Sequence, residues 1–190
     1  MAGQEMDREK VIKAIEDLLD ALGEDRSREG LKDTPRRVAD AYAEMLAGVG
    51  QDATEHLSRT FEDTSGGMVV ESGISFSSLC EHHMMPFFGT VCIAYIPDGK
   101  VVGLSKLARC VDVFAKRLQI QERMTRQIAD EIMRVLAPKG VMVVCEAEHT
   151  CMTCRGVKRP CTRTTTVATA GSFPEEARKE VFARMTLAKQ

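Results

Sequence analysis

Three of the chain's four histidines fall in two short stretches, Cys80-Glu81-His82-His83 and His149-Thr150-Cys151. Each stretch sets a thiol beside imidazole nitrogen, the donor set that Zn²⁺ prefers. Cys80 and His83 stand three residues apart, close enough to hold one metal from a single turn. His149 and Cys151 stand two apart, so on an extended strand both point to one face. Few other side chains bind a Lewis acid and also move protons near neutral pH. The pattern predicts an enzyme with a zinc-activated water and two free histidines.

Two kinds of metal site fit these residues. Cys80, His83, Cys151 and Cys154 can close a structural Cys₃His site. Alternatively Cys80, His83 and Cys151 bind, and the fourth position stays open to water. The closed site leaves His82 and His149 beside the metal without a role, which favours the open one.

Further chemistry lies nearby. Arg155, Lys158, Arg159 and Arg163 form a basic run with no acidic residue, either a solvated loop or a local anion site. Gln121-Glu122 stands at a helix start, where a carboxylate complements the helix dipole. Ser105-Lys106 opens another predicted helix, with Arg109 one turn beyond Ser105. No G-x-x-x-x-G-K-[ST] occurs, so a nucleotide would not be held by a P-loop.

These residues need elements to hold them. Asp7 caps a predicted helix with Val11, Ile15, Leu18, Leu19 and Leu22 on one face, ended by Gly23. Thr34-Pro35 caps and opens the next, carrying Val38, Tyr42, Met45 and Leu46. The polar stretch to Gly67 has weak periodicity. From Met68 the period shortens: residues 68–71 and 74–80 read as strands, and 88–97 as another. Asp98-Gly99 signals a hairpin returned by 101–104. Ser105 caps a helix with Leu107, Val111, Phe114 and Leu118 inward. A second helix from Gln121 carries Met124, Ile128, Ile132 and Val135. Residues 141–151 and 162–169 read as strands, and Pro174 opens a last helix with Ala177, Val181 and Met185 inward.

That order lacks βαβ alternation, so the expected class is α+β: an antiparallel sheet with helices on one face. The expected division is a helical region over 1–66 and a catalytic domain over 67–190. Net charge is −2, which disfavours wholesale nucleic-acid binding. No apolar run reaches the ~18–20 residues of a membrane span. Residues 1–10 contain no apolar stretch of a secretory signal, and the odd count of 7 cysteines is a poor disulfide framework. A cytoplasmic location is expected, with Cys92, Cys110 and Cys145 buried in apolar runs.

The motifs also carry a resemblance. Cys80-Glu81-His82-His83, the stretch from Gly103 to Arg109 (G-L-S-K-L-A-R), Gln121-Glu122-Arg123-Met124-Thr125 and the stretch from His149 to Gly156 (H-T-C-M-T-C-R-G) follow in order. With Asp33-Thr34-Pro35 before them, they resemble the GTP cyclohydrolase I family. The resemblance implies zinc on Cys80, His83 and Cys151, with conversion of GTP and water to 7,8-dihydroneopterin triphosphate and formate for folate or tetrahydropterin synthesis. It implies proton transfer by His82 and His149, and a role for Ser105 at the ribose. It places Glu122, with Gln121 nearby, on the guanine edge, and Lys106, Arg109 and Arg155 on the triphosphate. It further implies the tunnelling fold (T-fold) and a homodecamer of two pentamers with active sites at subunit boundaries. The family usually lacks a cysteine at the position of Cys154, which is expected to stay off the metal. Rival readings are the closed Cys₃His module and another T-fold enzyme of pterin or deazapurine chemistry.

Overall fold

The computed structural model describes residues 6–187, so the polar N-terminal stretch read for a secretory signal lies partly outside the described residues. The chain opens with helices α1 (Arg8–Ala21) and α2 (Thr34–Met45), which pack on each other. Asp7 caps α1 by accepting from the Lys10 amide at 3.1 Å. Gly23, at φ +77°, turns the chain away in the left-handed region. The α1 stripe is not buried: Leu18 and Leu22 stay exposed. The expected cap of α2 shifts by one residue. Asp33 holds the cap position, and the Thr34 hydroxyl bonds back to the Gly30 carbonyl instead.

The unassigned polar stretch contains a helical turn, α3 (Thr54–Leu57), and a short strand, β1 (Thr60–Glu62). Next come β2 (Val69–Cys80), β3 (Pro86–Ile96) and β4 (Lys100–Val102). The two predicted strands before Cys80 are one strand, broken in register between Glu71 and Ile74. Gly73, at φ +76°, supplies the bulge. The Asp98-Gly99 turn does form, but the expected hairpin does not. Val102 pairs with Thr60 of β1 rather than returning along β3, making a separate two-stranded ribbon.

Helix α4 (Leu104–Ala115), strand β5 (Leu118–Gln119) and helix α5 (Gln121–Leu136) follow, then β6 (Gly140–His149), the turn α6 (Thr150–Thr153), β7 (Thr164–Gly171) and α7 (Glu175–Leu187). The main sheet runs β5-β2-β3-β6-β7, antiparallel throughout its four long strands, with β5 parallel to the end of β2. Alternation along the strands divides its faces. Phe76, Val91, Ile93, Val143 and Cys145 pack with Leu107 and Val111 of α4 and Ile128 and Ile132 of α5. This is the expected α+β architecture with two helices on one face. On the other face α7 covers Cys92, Ala94, Met142 and Val144 through Val181. Gly89 lets β3 and β6 approach closely, since a Cβ there would sit 1.9 Å from the Glu146 carbonyl oxygen.

Candidate active site

The connection from β2 to β3 is a tight turn built around Cys80. The Cys80 amide donates to Met85 O at 2.9 Å, and its carbonyl accepts from Met84 N at 2.8 Å and His83 N at 3.3 Å. Met84 takes φ 52° in this turn, which leaves Cys80 buried and His83 exposed. Glu81 straps the turn to α5. Its two carboxylate oxygens accept from Arg123 at 2.7 and 2.8 Å, and that fork holds the Glu81 carboxyl below its ordinary range. Neither Glu81 nor Arg123 was expected to act here, although both stand inside the quoted motifs.

Cys151 arrives differently from the sequence expectation. Strand β6 ends at His149, and Cys151 lies in α6, so the two are not neighbours on one strand face. The Thr150 hydroxyl donates to Pro86 O at 2.6 Å and ties α6 to β3 beside the Cys80 turn. Ligand atoms of Cys80, His83 and Cys151 all lie within 4.8 Å of one another. Around a tetrahedral zinc the same atoms would stand about 3.6–3.8 Å apart, so a modest contraction completes the cradle. Burial, then the neighbouring Cys80, pushes the Cys151 thiol up. A bound cation would reverse that. Cys154 is outside this group, exposed, with its thiol donating to Thr150 O at 2.9 Å. Cys80, His83 and Cys151 are thus brought together without Cys154.

His149 lines the same cavity. Its ring stacks on Phe87 with centroids 4.6 Å apart and planes 6° apart. Its Nε2 meets Gln121 Oε1 at 2.8 Å. Burial lowers the His149 pKa, and Glu122 partly opposes the shift. Gln121 is 2% exposed. The cavity is about 330 Å³, bordered by Cys80, His82, His83, Glu122, His149 and Cys151 together with Gln119, Gln121, Ile120, Met152 and Thr164. Gln119, Ile120, Met152 and Thr164 were not anticipated. The alternation Gln119-x-Gln121 was the available signal for the first.

Arg155 follows α6 and reaches the metal cradle, its Nη2 lying 2.7 Å from His83 Nε2. Ser105, Lys106 and Arg109 do not line this cavity within one chain. They lie in the first turns of α4, whereas its C-terminal end leads into β5 beside Cys80. Ser105 stands ten residues, about 15 Å of helix, before Ala115, and Arg109 six residues, about 9 Å, before it. Arg109 instead borders a separate depression with Gly48, His56 and Asp112. Ser105 does not cap α4 either: Gly103 holds that position and makes no side-chain cap. Of the basic run, Arg163 turns to Glu146 at 3.4 Å.

Fold and site together define an α+β enzyme whose cavity sets a potential metal cradle beside His82 and His149. Residues 11–186 match the family GTP cyclohydrolase I. The chain is 51% identical over 184 residues to GTP cyclohydrolase 1 of Clostridium perfringens (strain 13 / Type A), covering 96% of this chain and 100% of that one. It is 54% identical over 179 residues to GTP cyclohydrolase 1 of Clostridium kluyveri (strain ATCC 8527 / DSM 555 / NBRC 12016 / NCIMB 10680 / K1), covering 93% and 97%. It is 56% identical over 169 residues to that of Carboxydothermus hydrogenoformans, covering 88% of each chain. Among solved structures, an apo archaeosine synthase QueF-like protein is similar with a TM-score of 0.47 and 19% identity, over 58% of this chain and 100% of that chain. The chain belongs to the GTP cyclohydrolase I family.

Proposed function

We propose that this chain hydrolyses GTP to 7,8-dihydroneopterin triphosphate and formate, feeding folate or tetrahydropterin synthesis. One observation carries the reading: the Cys80, His83, Cys151 cradle, His149 and Glu122 meet in one cavity of a chain from this family. The metal is Zn²⁺, for which two thiolates and an imidazole are a fitting donor set. Opening the purine imidazole ring at C8 needs a strong nucleophile at neutral pH, and zinc held by Cys80, His83 and Cys151 would supply one by activating water.

The chain's own residues do the rest. Glu122 accepts from guanine N1–H and the 2-amino group, fixing the base. His149 protonates N7, drawing electron density from C8. His82 carries protons in the later ring-opening and ribose steps, where Ser105 assists. Arg155, Lys106 and Arg109 hold the triphosphate through charge-assisted bonds to its oxygens.

Ser105, Lys106 and Arg109 then come from a neighbouring subunit, since none of them lines this cavity within one chain. Strand β7 pairs only with β6 among the described residues, and β2 meets β5 only at Leu79 and Cys80. Both edges thus offer main-chain groups to a second copy. A homodecamer with sites at its subunit boundaries fits these edges. Residues 1–66 are read as a helical region and 67–190 as the catalytic domain. A cytoplasmic location suits seven free thiols.

The deciding experiment incubates zinc-loaded protein with GTP and follows formate, and a fluorescent pterin after oxidation. No turnover by fully metallated protein would overturn the reading. Sedimentation tests the assembly: a monomer that still turns over GTP would overturn the shared site.

A further inference from the structure

The Gln121 side chain is buried at the start of α5, yet its amide spends every hydrogen-bonding group on protein. Its Nε2 faces three acceptors: Cys145 O at 3.1 Å, Thr164 O at 2.9 Å and Thr166 Oγ1 at 3.1 Å. Two of these are main-chain carbonyls, which can only accept. The amide therefore cannot be turned over without setting Oε1 against two carbonyl oxygens. Thr125 reinforces the arrangement. Its hydroxyl donates to Gln121 O at 2.8 Å and meets Thr166 Oγ1 at 2.7 Å, so Thr166 donates to Thr125 and leaves a lone pair for the Gln121 amide. The amide's two protons face three acceptors, two of which, the Cys145 and Thr164 carbonyls, have no proton to give back.

Oε1 of Gln121 is left to face His149 Nε2 at 2.8 Å. An amide oxygen accepts, so Nε2 is the donor and carries the ring proton. Phe87 stacks flat on the imidazole and opposes rotation that would exchange the two nitrogens. Nδ1 has no hydrogen-bond partner among the described residues.

We infer that Gln121 is a positioning residue that fixes His149 as the Nε2–H tautomer and so makes Nδ1 the atom through which His149 exchanges protons with substrate. The inference rests on the proton-carrying role proposed for His149. It assigns Gln121 to the histidine rather than to the guanine edge. When His149 gives up its second proton from Nδ1, the neutral ring that remains is the one Gln121 stabilises. No proton needs to move between nitrogens before the next cycle.

The test is nitrogen NMR on full-length, zinc-loaded protein labelled with ¹⁵N-histidine, with the His149 signals identified by their loss in His149→Ala. Wild-type protein is expected to show His149 Nε2 protonated and Nδ1 unprotonated in the neutral ring. The reverse assignment overturns the inference without any variant, and without touching GTP turnover by the wild type. Gln121→Met, similar in size but unable to accept strongly, is expected to mix the two tautomers. It should lower kcat at nearly constant KM by about 10- to 100-fold, the cost known for losing the outer partner of a metal-ligating histidine and taken as the guide for His149. A raised KM with unchanged kcat and an unchanged tautomer would return Gln121 to substrate binding and overturn the inference. Should Gln121→Met fail to fold, the wild-type spectrum alone decides.

Discussion

Arg155 Nη2 lies 2.7 Å from His83 Nε2. A guanidinium only donates, so this nitrogen of His83 is the unprotonated one and the ring proton sits on Nδ1. A metal taking Nε2 must displace Arg155. A metal taking Nδ1 drives the proton to Nε2, where two donors would meet. Either way, loading the cradle frees Arg155 for an anion. Arg155→Ala should therefore bind zinc about two- to tenfold more tightly, the worth of one net hydrogen bond, while its KM for GTP rises. A chelator competition and steady-state kinetics read the two effects. Unchanged zinc affinity would show that the pair does not oppose loading.

The three-ligand assignment predicts different fates for neighbouring cysteines. Cys80→Ser and Cys151→Ser should purify without stoichiometric zinc and without turnover. Cys154→Ser should keep both, because its thiol is engaged with Thr150 O outside the cradle. Elemental analysis of the purified variants settles this. A zinc–sulfur distance near 2.3 Å to Cys154 in a metal-loaded crystal would contradict it.

His149 lies beside the cradle but is not in it. His149→Ala should retain zinc and lose about 10²- to 10⁴-fold in kcat, the range for a positioned acid–base group. If the variant loses its metal instead, the ligand assignment is wrong.

Glu81 acts at one remove, through Arg123 on α5. Glu81→Gln weakens the fork that holds the Cys80 turn. Zinc affinity should fall about 10- to 100-fold, with the far-ultraviolet spectrum unchanged. Equal affinity in wild type and variant would mean that the turn holds itself.

Buried thiols make stability fall at high pH. Burial raises Cys92 from 9.0 to about 11, and Cys145 from 9.0 to about 12. The unfolded chain releases these protons first, so it binds fewer protons than the folded one. Their contribution is complete below pH 9.0 and is lost as pH rises toward 11–12. Each thiol lowers stability by ~1.4 kcal/mol per pH unit in that window. Urea unfolding between pH 8 and 10.5 should show a shallower decline in Cys145→Ala than in wild type. Parallel declines would remove Cys145 from the account.

Local chemistry made much of this protein legible in its sequence. Amphipathic period marked α4 and α5, since a helix must bury one stripe: Leu107, Val111, Ile128 and Ile132 all did so. Two Cys/His stretches marked the cradle, because few residue types bind a soft cation. What depended on distant partners was not legible. Nothing around Asp98-Gly99 says that Val102 pairs with Thr60 instead of returning along β3, since strand choice is made by the whole sheet. The β-like pattern through Cys151 hid the end of β6 at His149, where a Thr150 bond to Pro86 turns the chain. The family resemblance set Gln121 near the guanine edge, and nothing in the sequence names the partners of its amide. Only the packing of β6 and β7 against α5 surrounds its amide with carbonyls and leaves one oxygen for His149. Residue types settle which chemistry is available; long-range packing settles which atom of which residue can perform it.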